Sequence, residues 1–194
     1  MFLLFDTETT GLPAKGQYQN PNHAQTPKLV EIAAVLFNSE GTELDSYTAI
    51  VKPYGFDIPV QASNVHKITT ERAQQEGQDL EVVYSNFLLM VKQAQYLVAH
   101  NAQYDKLVLD RVDIDLSSTP SFAEGKKILC TKELTTNICR LPSPYGRGFK
   151  WPTLQEAHRH FFDCEFEDAH SALADVRATG RVLFELIKQG YWKP

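Results

Sequence analysis

The sequence predicts an α/β fold, a mixed five-stranded sheet flanked by helices, within a single domain spanning residues 1–194. Three observations predict it. Short apolar or alternating runs of strand length are interspersed with long stretches of helical period. Three such runs precede the first long helical stretch, which implies an antiparallel meander, and strand-like and helix-like segments then alternate, which implies β-α crossovers. The chain is long enough for one sizeable core and too short for two ordinary domains with a linker.

The first strand is predicted over 2–6, where Phe2-Leu3-Leu4-Phe5 is continuously apolar and the Thr9-Thr10-Gly11 turn closes it. Further strands follow over 29–37, 43–51, 96–99 and, on a more polar run, 127–130. Helices are predicted over 80–94, 104–112, 131–138, 153–161 and 169–189, with Gly190 as the final stop.

Four acids sit where this pattern should place apolar side chains. Asp6 and Glu8 are two apart on the first strand, so both point to one face at its carboxyl end, the edge of an open α/β sheet where ligands bind. Asp105 falls in the middle of the helical arc made by Val108, Leu109 and Val112. In the last helix the arc runs through Leu173, Val176, Gly180, Leu183 and Ile187, with Arg177, Arg181, Glu185 and Lys188 on the other side, so Asp175 faces inward. A buried carboxylate has to be paired, protonated or bound to a metal. A salt bridge explains any one of these acids; four such pairs in one core are much harder to supply. Two Mg²⁺ or Mn²⁺ ions would neutralise the converging charge and leave room for a phosphate. Zinc is a poorer match, because Cys130, Cys139 and Cys164 lack paired ligand spacing.

His170 lies five residues before Asp175, a separation that would make the two side chains diverge if both were inside the helix. It is placed at or just before the first turn, with Asp168 or Ser171 as the N-cap. There an imidazole could take a proton from an attacking water. The alternative is a surface or capping histidine. His66, His100, His158 and His160 are read as structural.

Phe5-Asp6-Thr7-Glu8-Thr9-Thr10-Gly11, Val98-Ala99-His100-Asn101-Ala102-Gln103-Tyr104-Asp105 and His170-Ser171-Ala172-Leu173-Ala174-Asp175 resemble the three motifs of the DnaQ-like DEDDh exonuclease family, which includes polymerase proofreading subunits and RNase T. The resemblance is to its stand-alone bacterial and phage members and runs from Phe2 to about Lys188. It implies an RNase H-like fold and 3′-to-5′ release of nucleoside 5′-monophosphates from single-stranded nucleic acid, DNA favoured over RNA. Two Mg²⁺ ions, with Mn²⁺ as substitute, would assist the attacking and leaving oxygens. Asp6, Glu8, Asp105 and Asp175 would be the metal-binding acids and His170 the general base; a sister group carries Tyr where this chain has Ser171. The backbone around Thr9, Thr10 and Gly11 would hold the 3′ terminus, with Leu12 as a wedge near the terminal base. Thr7, His66, Lys67 and Asn101 complete the substrate contacts that the resemblance implies. Lys150-Trp151-Pro152-Thr153-Leu154-Gln155-Glu156-Ala157-His158 resembles the closing segment of the stand-alone bacterial and phage members. Two departures stand out: Lys67 occupies a position where Gly commonly precedes Ile, and the loop over 13–27 is longer than in compact proofreading members.

An aspartyl-phosphate mechanism at Asp6 is the competing reading, but it needs a second Asp where Glu8 stands. The net charge of −5 includes the candidate acids and predicts weak, salt-sensitive nucleic-acid binding. Lys126, Lys127, Lys132, Arg140, Arg147 and Lys150 cluster in one stretch with Tyr145, Phe149 and Trp151, either a single-strand grip or a solvated loop with Trp151 in the core. No run has the length of a membrane span, and three scattered cysteines suit a reducing, cytoplasmic setting. The second class of function is a polymerase-associated or RNA-processing binding module whose docking is its main role. A polymerase partner and a homodimer both stay open.

Overall fold

The structure, a computed structural model, describes residues 1–14, 20–117, 121–168 and 171–194. In chain order its elements are β1 (Phe2–Thr9), β2 (Leu29–Phe37), β3 (Glu43–Ile50), α1 (Val60–His66), α2 (Thr70–Glu76), α3 (Leu80–Gln93), β4 (Tyr96–Ala99), α4 (Ala102–Asp115), β5 (Lys127–Cys130), α5 (Thr131–Cys139), α6 (Leu154–Phe162) and α7 (Ala172–Lys188). The strands form one mixed sheet in the order β3-β2-β1-β4-β5. β1, β2 and β3 make the antiparallel meander, and β4 and β5 add in parallel through crossover helices.

β1 is apolar because both its faces are covered. Leu3 and Phe5 pack with α3 and α4 through Phe87, Val108 and Leu109. Phe2 and Leu4 pack with α7 through Val176 and Leu183. The helix α7 lies close to the sheet at Gly180, where an added Cβ would lie 3.2 Å from the Phe37 ring and 3.3 Å from Leu4. A residue without a side chain lets this helix settle onto the sheet. Gly190, at φ +77°, follows its C-cap as the expected stop.

Two differences from the sequence expectation have physical causes. β1 continues to Thr9 instead of ending at Asp6, because β2 keeps pairing with it as far as Thr9 opposite Leu29, with a register shift after Glu8. Helices α1 and α2 were not expected. Each has seven residues and buries little, Ala62 and His66 in one and Ala73 in the other, so neither has an apolar period to read.

Candidate active site

Asp6 and Glu8 continue the face of β1 that carries Phe2 and Leu4, the face covered by α7. Asp175 lies in the first turn of α7. The three part-buried side chains each present a carboxylate oxygen, and these oxygens lie within 4.8 Å of one another.

Asp105 reaches the same place from the opposite face. β4 pairs with β1 only from Phe2 to Leu4. Beyond Ala99 the chain turns into α4, which leaves the edge of β1 open there. Asp105, in the first turn of α4 and only 2% exposed, fills that gap. The Thr7 backbone N–H donates to its Oδ1 at 3.0 Å and the Thr7 hydroxyl to the same oxygen at 2.7 Å. Both α4 and α7 thus point their amino ends, which carry partial positive charge, at the cluster.

Electrostatics bind the four acids into one unit. Burial, then the charges of Asp105, Glu8, Asp175 and Glu31, push the Asp6 carboxyl well above its ordinary range. Glu8 is pushed up to about 8 by burial and then by Asp175, Glu31 and Asp105. Burial raises Asp105 to about 7 against the hydrogen bonds from Thr7 and the nearby Lys132 charge. Asp113 is also a buried acid, but it accepts from the Tyr84 hydroxyl at 2.5 Å and the Phe122 N–H at 3.1 Å. It belongs to the core and takes no part here.

Sequence reasoning missed Glu31. It stands opposite Glu8 in the β1–β2 register and on the same sheet face. Its carboxyl is raised by burial and is hydrogen-bonded by the backbone N–H of Ala172, the first residue of α7. Glu31 therefore ties β2 to the helix turn that carries Asp175. The available signal was a lone acid interrupting the apolar run Leu29-Val30-Glu31-Ile32.

The turn after β1 is held from three sides. The Tyr104 hydroxyl hydrogen-bonds the Thr9 hydroxyl and donates to the Gly11 carbonyl at 2.6 Å. Thr10 and Lys28 exchange two bonds of 3.0 Å. His66 Nδ1 accepts from the Ile68 N–H at 3.1 Å, so its Nε2–H donates to the Thr9 carbonyl at 3.2 Å. His66, read from local context as structural, thus braces the segment that the resemblance assigns to substrate. Gly11 has φ +142°, which favours glycine, and it presents Leu12 to solvent at 79% exposure.

Lys67 ends α1 in the left-handed region at φ +62°, a conformation that suits the Gly commonly found at this place in the resembled segment. Its ammonium donates to the Asn64 carbonyl at 2.6 Å. Asn101, also left-handed at φ +85°, precedes α4 and accepts from Lys132. His170 lies outside the described residues. Ser171 occupies the N-cap of α7 without a side-chain cap bond.

The basic stretch does not form one patch. Lys126 donates to the Ala94 carbonyl and Lys127 lies over the Tyr96 ring, both at the amino end of β4 and β5, whereas Lys132 follows the carboxyl end. A strand that separates residues in space has divided what the sequence placed together. Trp151 is 63% exposed, which overturns its placement in the core.

The sequence model of an exonuclease family, RNase_T, matches residues 3–183. The PolC-type DNA polymerase III of Lacticaseibacillus paracasei is 27% identical over 195 residues, which cover 97% of this chain and 11% of that polymerase. The DNA polymerase III epsilon subunit of Treponema pallidum is 33% identical over 104 residues, 54% of this chain and 42% of that subunit. Among solved structures, E. coli exonuclease I in complex with a dA16 oligonucleotide superposes with a TM-score of 0.77 at 17% identity, over 97% of this chain and 41% of that one. Exonuclease X in complex with 5′ overhanging duplex DNA gives 0.65 at 22% identity, over 100% and 95%. The chain thus spans about a tenth of the PolC relatives and less than half of the epsilon subunit. Since one family pattern runs from residue 3 to 183 across a fold shared with two exonucleases, the chain belongs to the DnaQ-like 3′–5′ exonuclease family.

Proposed function

We propose that the 194 residues act as one exonuclease domain that removes nucleoside 5′-monophosphates from the 3′ end of single-stranded nucleic acid, with DNA as the favoured substrate and two divalent cations, Mg²⁺ or Mn²⁺, as cofactors. One observation carries the reading: Asp6, Glu8 and Asp175 offer oxygens within 4.8 Å of one another, with Asp105 entering from the other face as the largest single charge acting on Asp6.

The donor set fits hard divalent cations. It consists of carboxylates alone, and burial followed by their mutual repulsion raises their proton affinity, so the cluster calls for positive charge of some kind. Asp6, Glu8, Asp105 and Asp175 would hold the ions, which supply charge neutralisation for the attacking and leaving oxygens. His170 would take the proton from the attacking water. The Thr9–Gly11 turn, braced by Tyr104 and His66, would seat the terminal sugar, and Leu12 would lie against the last base. The DNA polymerase relatives and the oligonucleotide complexes of the structural neighbours support DNA over RNA. Among the described residues no helix is long and apolar enough to cross a membrane. Three cysteines, all free, suit the reducing cytoplasmic setting proposed here.

The test uses a DNA strand and an RNA strand of one sequence, labelled at either end, with Mg²⁺, with Mn²⁺ and with chelator. The expected result is a metal-dependent ladder from the 5′-labelled DNA and labelled mononucleotide from the 3′-labelled DNA. Internal cleavage, or none, overturns the reading. The polymerase names of the relatives favour one second reading, a domain that docks onto a polymerase. A complex on sizing with a replicative polymerase and no hydrolysis would favour it.

A further inference from the structure

Trp151 is a large aromatic residue held out of the core by its neighbours. On its carboxyl side the Pro152 carbonyl accepts from His100 Nε2 at 3.1 Å, and Thr153 caps α6 in a reciprocal capping box with Glu156. On its amino side Lys150 pairs with Glu156, and its N–H donates to the Leu141 carbonyl at 2.9 Å. The backbone is pinned on both sides while the indole remains 63% exposed. His100 also hydrogen-bonds Thr131 at 3.0 Å, so the segment is fastened to the carboxyl end of β4 and the start of α5.

Lys132 stands over this ring with its ammonium 4.1 Å from the centroid. The same ammonium donates to Asn101, just before the helix that carries Asp105, and its charge acts on Asp105. A cation in the first turn of α5 opposes the helix dipole. What holds the lysine there is its contact with the indole, its bond to Asn101 and the nearby Asp105 charge. Both groups meet just past the carboxyl end of β5, where the Lys132 charge reaches Asp105.

We propose that Trp151 and Lys132 form a subsite for one unpaired nucleotide next to the scissile end, the free indole face stacking on its base and the ammonium pairing with a backbone phosphate. The proposal rests on the exonuclease reading of the acids and extends it to how the strand is gripped. Stacking on an aromatic platform accepts any base, but the base must have left the duplex stack. The subsite selects single strands by requiring that separation.

The experiment measures binding of 5′-dye-labelled oligonucleotides by anisotropy, using Asp6→Asn to prevent turnover, with and without Trp151→Ala, Trp151→Phe and Lys132→Met. An abasic site is moved through the last few positions of the strand. With Trp151 present, one position should lose about tenfold in affinity when its base is removed, the scale of one stacked base. Trp151→Ala should bind the intact strand about tenfold more weakly and be indifferent to that abasic site, while Trp151→Phe keeps most of both effects. Lys132→Met should lower the slope of log affinity against log salt by about one. An abasic penalty that is the same at every position with and without the Trp151→Ala change overturns the proposal, as does unchanged affinity in Trp151→Ala. Hydrolysis is scored separately on the protein with Asp6 intact. A base-dependent Trp151 effect without hydrolysis keeps the subsite and removes the exonuclease reading; hydrolysis with no Trp151 effect does the reverse.

Discussion

The Thr7 backbone N–H donates to the Asp105 carboxylate at 3.0 Å, so a side chain from α4 occupies the edge of β1 after its pairing with β4 has ended. This bond gives Asp105 two roles. It satisfies a buried strand N–H, and it brings its charge against Asp6. The roles separate by substitution. Asp105→Ala leaves the Thr7 N–H without its acceptor and should cost about 1–3 kcal/mol of stability. Asp105→Asn keeps a carbonyl oxygen for that bond and should cost little, while both variants lose hydrolysis. Urea unfolding of the metal-free proteins alongside a nuclease assay checks the difference.

The raised acids predict an unusual pH dependence. Glu8 is displaced from 4.5 to about 8 and Asp105 from 3.8 to about 7. A carboxyl whose folded pKa lies above its unfolded one stabilises the fold below the unfolded value and loses that contribution as pH rises through the folded value. The metal-free protein should therefore lose stability between about pH 4 and pH 8, the window those pKa values define. Each tenfold change in proton affinity is worth about 1.4 kcal/mol, and each kcal/mol moves the midpoint of a chain this size by about 2–4 °C. Mg²⁺ should raise the midpoint more at pH 8 than at pH 5. Glu8→Gln should flatten the decline; scanning calorimetry across pH measures all three.

Gly180 sets the depth at which α7 lies on the sheet. Alanine gains about 1 kcal/mol in helix propensity. Its Cβ would press on the buried side chains of Phe37 and Leu4, and overpacking typically costs about 1–3 kcal/mol. Gly180→Ala should be destabilising overall. Because Asp175 rides on the same helix, Mn²⁺ affinity should fall as well, which calorimetric titration reads.

His170→Ala should slow hydrolysis by about two to four powers of ten, the usual contribution of a general base, with metal binding retained. An unchanged rate would return this residue to a surface or capping role. Single-turnover rates beside Mn²⁺ titration decide between them.

The sheet was legible because apolar runs and buried acids are local signals. Phe2 to Phe5 marked β1, and Asp6 and Glu8 were conspicuous on a strand that should be apolar. Asp105 and Asp175 were legible by helical phase, because an acid on a buried arc violates the pattern around it. Glu31 was not, since its contribution depends on lying opposite Glu8, a register that pairing sets. Tyr104 and His66 brace the Thr9–Gly11 turn through contacts 93 and 57 residues apart in sequence, beyond any local pattern. The basic stretch misled for the converse reason: Lys127 and Lys132 are near in sequence but flank opposite ends of β5.

The proposed activity depends on the four carboxylates forming one divalent-cation site. The most direct measurement is Mn²⁺ titration followed by electron paramagnetic resonance, in which free aqueous Mn²⁺ gives a strong signal and bound ion a weak one, with hydrolysis of a single-stranded oligonucleotide followed at the same concentrations. The expected result is uptake of about two ions in the presence of a nucleoside 5′-monophosphate, activity that rises with their binding, and loss of both in Asp6→Asn and Asp175→Asn. Hydrolysis that persists when no Mn²⁺ is bound, or full uptake by both variants, would contradict it.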